Sequence, residues 1–120
     1  MSSAEVFREY LDRFTSGDLA GASELLDEDF SFHGPMLQAE GRDAFLEGAS
    51  GLGPMLRGNE MLRQWEDGED VCSVYEFKVE TAVGAGSIPM TEWARVRDGK
   101  LVSARLIFDT AQMAALMPAS

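Results

Sequence analysis

A single carboxylate sits where the apolar face of a strand should be. In the segment Ser87-Ile88-Pro89-Met90-Thr91-Glu92-Trp93-Ala94-Arg95-Val96-Arg97, alternation puts Ile88, Met90, Ala94 and Val96 on one face, with Glu92 among them. Successive side chains of a strand point to opposite faces, so Glu92 points at the core or at a cavity. An apolar cavity disfavours the charged form of a carboxyl, and buried glutamates titrate up to about four units above the reference near ~4.3. Such a group donates or carries a proton near neutral pH. The alternatives for Glu92 are a different strand register or a salt bridge, for example to an arginine on a neighbouring strand.

Two further residues have the chemistry to act beside it. His33 is the only histidine of the chain, and imidazole exchanges protons near neutrality. It is read either as a pocket base or as an edge histidine beside Gly34-Pro35. Tyr75 alternates with Val71, Ser73, Phe77 and Val79 on one face, so its hydroxyl needs a partner inside the fold. It is a core tyrosine or a pocket donor. The face assignments lead us to expect His33, Tyr75 and Glu92 in one shared cavity. Asp109, with Gln112 three residues on, reads as the cap of a closing helix rather than as a chemical group.

Composition excludes several other chemistries. The chain has 120 residues, 45% of them hydrophobic, which suits one globular domain spanning 1–120. Ten Lys and Arg against 21 Asp and Glu leave a net charge of −11, which argues against nucleic-acid and anionic-membrane partners. No apolar run approaches the roughly 18 residues of a membrane span, and Cys72 stands alone. No cluster has metal-ligand spacing and no glycine-rich stretch has phosphate-loop spacing, so neither a metal nor a cofactor is expected. The amino-terminal residues lack the basic and apolar regions of an export signal, and the expected location is cytoplasmic.

The elements that must position these residues come in two halves. Val6, Phe7, Tyr10, Leu11 and Phe14 share a helical face behind a capping box of Ser2 and Glu5, and Gly17 ends that helix. Asp18 caps a second helix carrying Leu19, Ala22, Leu25 and Leu26, before Asp27-Glu28-Asp29 breaks the pattern. A short strand Phe30 to Pro35 follows, then a helix from Gly41-Arg42-Asp43 that packs Phe45, Leu46 and Ala49. From Arg57 the pattern becomes a four-stranded antiparallel meander, with reversals at Glu66-Asp67-Gly68, Gly84-Ala85-Gly86 and Asp98-Gly99. Thr110 to Met117 reads as a closing helix stopped by Pro118. Helices first and a long sheet second is an α+β arrangement with the helices on one face.

Four pieces, Thr15 to Leu19, Phe30 to Pro35, Glu40 to Phe45, and Val96 through Asp109, together resemble the SnoaL-like branch of the nuclear-transport-factor-2-like superfamily. The resemblance implies a cone-shaped, strongly curved antiparallel sheet wrapped on the amino-terminal helices, an apolar pocket at its open end, and a homodimer. Phe32, Phe77, Met90, Leu106 and Phe108 are then the expected ligand-binding residues. Relatives include ketosteroid isomerases, polyketide cyclases and limonene-type epoxide hydrolases. The isomerase base would fall at Gly34, the hydrolase arginine and aspartate at Tyr75 and Phe77, and the acid of the final strand at Leu106. Glu92 falls where the isomerases keep a protonated acid, which is a worked case of a carboxyl held neutral.

Three readings of function follow. One is a cofactor-independent isomerase or cyclase acting on a small apolar molecule, with Glu92 as donor, His33 as base and Tyr75 orienting. Another is a binding protein that performs no chemistry, favoured by the replaced family residues. The third is a dimerisation module with a vestigial pocket.

Overall fold

A computed structural model describes residues 1–117 of the chain; Pro118 lies outside the described residues. Helix α1 runs Ser3–Thr15, with both halves of the Ser2–Glu5 capping box in place. It buries Val6, Phe7, Tyr10, Leu11 and Phe14, the stripe its periodicity predicts. Gly17 turns the chain at φ 90°, and Asp18 caps the short helix α2, Leu19–Ser23, through the Gly21 amide.

The rest is a six-stranded sheet flanked by two more helices. Its strands are β1 (Leu26–His33), β2 (Gln38–Glu40), β3 (Leu56–Asp67), β4 (Asp70–Thr81), β5 (Gly84–Arg97) and β6 (Lys100–Phe108). Helix α3 spans Arg42–Ala49 and continues into a 3-10 turn, Ser50–Met55. Helix α4 spans Thr110–Leu116. The sheet order is β2-β1-β6-β5-β4-β3, and α1 lies across β3, β4, β5 and β6 on the inner face.

The meander of β3 to β6 is antiparallel throughout, as the turn chemistry predicts. Asp98 and Gly99 take φ 53° and 77°, the left-handed pair a two-residue hairpin demands. Register slips at Gly58, near Leu62 and between Arg95 and Val96 bend the sheet around α1.

Four local expectations change. The reversal expected at Gly84-Ala85-Gly86 falls earlier, at Ala82-Val83, because Gly84 and Gly86 already pair with Thr81 and Val79. Gly86 serves another purpose: a Cβ there would press on the Leu116 side chain, so the missing side chain leaves room for α4 against β5. The second helix stops at Ser23, and the first strand starts at Leu26, through Asp27-Glu28-Asp29. Its acids are tolerated because that stretch is irregular, with a slip between Leu26 and Ser31 where β1 runs parallel to β6. Strand β2, three residues long and paired to β1, carried no periodic signal.

Candidate functional site

Alternation along β4 and β5 builds the site. On β4 the buried residues are Val71, Ser73, Tyr75, Phe77 and Val79, and on β5 they are Ile88, Met90, Glu92, Ala94 and Val96. Ser73 pairs with Glu92 and Tyr75 with Met90, so Tyr75 and Glu92 are diagonal neighbours on one face. The Tyr75 hydroxyl donates to Glu92 Oε1 at 2.7 Å. No arginine takes part: the carboxylate's partner is a phenol. Glu92 is 3% exposed and Tyr75 2%, which removes the pair from bulk water.

That burial sets the electrostatics. Desolvation raises the Glu92 pKa to about 7, against the opposing pull of the Tyr75 hydrogen bond. Burial, with the Glu92 charge adding to it, pushes the Tyr75 and Tyr10 phenols well above their ordinary range. Near neutral pH the tyrosines stay protonated while Glu92 divides between its two forms.

The pair faces a cavity of about 220 Å³ enclosed by α1, α3, α4, the β1–β2 loop and the inner sheet face. Its wall is almost wholly apolar. Phe45 anchors one side, its ring centre 4.9 to 5.9 Å from those of Phe32, Phe30 and Phe14, edge-on to Phe30 and tilted to the other two. Phe32, Phe77, Met90, Leu106 and Phe108 all line the space, and half-exposed Met36 sits at its rim.

Of the three residues expected to share a cavity, Tyr75 and Glu92 do and His33 does not. Phe30 and Phe32 take the inward positions of β1, so parity sends His33 to the outer face, where its Nε2 lies 3.6 Å from Glu40 Oε1. His33 ends β1, an interior strand between β2 and β6, so it sits neither in the pocket nor on a sheet edge. The neighbouring position, Gly34, does line the cavity, but a Cβ there would meet the Phe32 ring at 2.9 Å. Tyr10 was missed. It counted as one of the apolar residues of α1, yet its ring lines the cavity. The signal available was a phenol where phenylalanine would fill the same stripe. Asp109 caps α4 as expected, its side chain accepting from the Ala111 amide at 2.9 Å; no hydrogen bond among the described residues joins it to Gln112. Among the described residues no group of acids, histidines and cysteines has metal-binding geometry, and no helix is long and apolar enough to cross a membrane.

The SnoaL-like domain model matches residues 7–104, which include α1, Tyr75 and Glu92. The chain belongs to the SnoaL-like family. Solved structures agree on the fold of this SnoaL-like protein. An NTF2-like protein of unknown function from Burkholderia pseudomallei superimposes with a TM-score of 0.83 at 21% identity, over 99% of this chain and 100% of that one. A Catenulispora acidiphila protein with a ketosteroid isomerase-like fold, in complex with trimethylamine, gives 0.82 at 13% identity over 93% and 91%. TerC, co-crystallised with polyporic acid, gives 0.80 at 19% over 95% and 96%. At these identities the likeness is one of fold. No curated protein matches the sequence.

Proposed function

We propose that this SnoaL-like protein binds a small, mostly apolar molecule in the cavity, with the Tyr75–Glu92 pair holding its one polar group. The observation that carries the reading is a buried hydrogen-bonded pair placed on an otherwise apolar wall. A cavity of about 150 Å³ suffices for benzene, so 220 Å³ suits a molecule of one or two small rings. Two neighbours of this fold were crystallised with small organic molecules, which is consistent in kind.

Native mass spectrometry of the purified protein, with denaturing extraction of whatever co-purifies, tests this. A low-mass organic adduct lost in Leu106→Trp, whose indole fills the cavity, is the expected result. An adduct retained in Leu106→Trp would place the ligand elsewhere. The absence of an adduct, together with no NMR response of cavity methyls to apolar compounds, would remove the reading.

Glu92 with a pKa of about 7 favours a second reading, a cofactor-independent isomerase or cyclase step in which this residue moves the proton. With His33 on the outer face, the cavity offers no second base among the described residues, and binding is the preferred reading. Solvent deuterium entering an enolisable cyclic ketone, and ceasing in Glu92→Gln, would reverse that preference.

The assembly proposed is a homodimer through the outer sheet face. There Trp65, Trp93 and Ile107 stand half or more exposed around one shallow groove.

A further inference from the structure

We propose that the molecule held in this cavity is an organic cation, a protonated amine with apolar substituents, whose N–H bonds to Glu92 while its carbons lie against the aromatic wall. The inference rests on the binding reading above and names its ligand class.

The direction of hydrogen bonding is the first ground. A site for a carbonyl or enolate oxygen aims its donors at one point in space. Here the Tyr75 proton is already directed to Glu92 Oε1 at 2.7 Å. What the pair presents to the cavity is acceptor capacity: the remaining phenol lone pair and Glu92 Oε2, which has no protein partner among the described residues. A donor on the ligand therefore completes the ionised pair, whereas a protonated Glu92 would itself donate to the ligand.

Charge is the second ground. A buried carboxylate is costly unless a cation accompanies it. Glu92 alone meets that cost by holding its proton. No lysine, arginine or histidine among the described residues lines the cavity, so a cationic ligand is what would favour the ionised form. The wall suits that charge. Ring faces attract cations, and Tyr10, Phe32, Tyr75 and Phe108 line the same space as Glu92. The net charge of −11 draws cations toward the molecule from a distance.

A pH signature follows. Among the described residues Tyr10 and Tyr75 are the other titratable groups on the wall, and both remain protonated, so of these three Glu92 changes state near neutrality. An ammonium ion prefers the carboxylate. Affinity then rises as pH increases through about 7, and below that value binding expels the Glu92 proton to the buffer.

Three probes of matched skeleton test the class: N,N-dimethylcyclohexylamine, cyclohexyl methyl ketone and 1-cyclohexylethanol. They are titrated calorimetrically into the full chain one pH unit above and one below the Glu92 pKa. The amine is expected to bind at least about tenfold more tightly than either neutral probe at the higher pH. At the lower pH it should bind more weakly, with a heat that depends on the ionisation enthalpy of the buffer. In Glu92→Gln the amine should lose its advantage while the neutral probes keep their affinities. Tyr75→Phe, which retains the carboxylate, should keep the preference for the amine. A ketone or alcohol that binds as well as the amine would overturn the cation assignment and leave the pocket reading standing. Failure of all three probes, with unchanged cavity methyl signals, would overturn both.

Discussion

Glu92 makes the stability of this protein depend on pH in an unusual direction. Its carboxyl has a reference pKa of 4.5 in the open chain and about 7 in the fold, so the folded state binds more protons between those values. Stability therefore falls as pH rises from about 4.5 to about 7 and is level in this contribution above that. The full effect is on the order of 3 kcal/mol, taking about 1.4 kcal/mol per pKa unit. Glu92→Gln keeps the acceptor for Tyr75 and removes the charge, so it should gain stability over wild type at alkaline pH and little at acid pH. Urea unfolding across that range checks it; a constant difference between the two proteins would mean that the carboxyl titrates normally. Glu92 and Tyr75 were legible because a strand has a period of two and both residues sit in long, regular runs. The same period sends His33 outward, since Phe30 and Phe32 alternate with it; expecting His33 beside Phe32 set two adjacent strand residues on one face. Tyr10 stayed hidden for a different reason: helical periodicity reports which face is buried, not whether that face meets core or cavity.

The elements were readable where local chemistry decides them. Ser2 with Glu5, Asp18, Asp98-Gly99 and Asp109 all occupy the caps and turn that their types favour. Where long-range pairing decides, the pattern was silent or misleading. Strand β2 exists because β1 offers it an edge, and Gly84 to Gly86 joined β5 because β4 extends far enough to pair with them. Helix α4 shows both influences. Asp109 starts it, while Leu116 on Gly86 and the Thr81 hydroxyl on the Leu116 carbonyl hold its far end. Asp109→Ala should therefore cost about 0.5–2 kcal/mol by loss of the cap, and leave the Glu92 titration in place. Denaturant unfolding and carboxyl NMR read the two effects separately. A displaced Glu92 pKa without loss of stability would give Asp109 a role in the site. Gly86→Val should instead lift α4 from β5, exposing Met113 at the cavity wall. Faster exchange of the α4 amides, with those of α1 unchanged, is the expected readout.

At the scale of the whole molecule, the inner sheet face is covered by α1 and the outer face is bare. The charges beside the outer groove are largely satisfied within the chain: Asp70 accepts from the Trp93 indole at 3.0 Å and from Arg95, and Glu69 pairs with Arg97. Around the groove stand Trp65, Trp93 and Ile107 with Arg105, an aromatic, aliphatic and arginine patch of the kind found at interface centres. A second copy meeting this face across a two-fold axis would bring the patch against itself. Each chain carries a charge of −11, so association works against repulsion and should tighten as salt screens it. Sedimentation at micromolar concentration should give twice the mass of one chain, with a larger dimer fraction at high ionic strength. Trp93→Glu places a charge at the centre of the patch and should weaken association by about 30-fold or more, while circular dichroism and the Glu92 titration stay unchanged because the residue faces away from the cavity. A wild-type chain that sediments as a monomer at every salt concentration would leave the outer face without this partner.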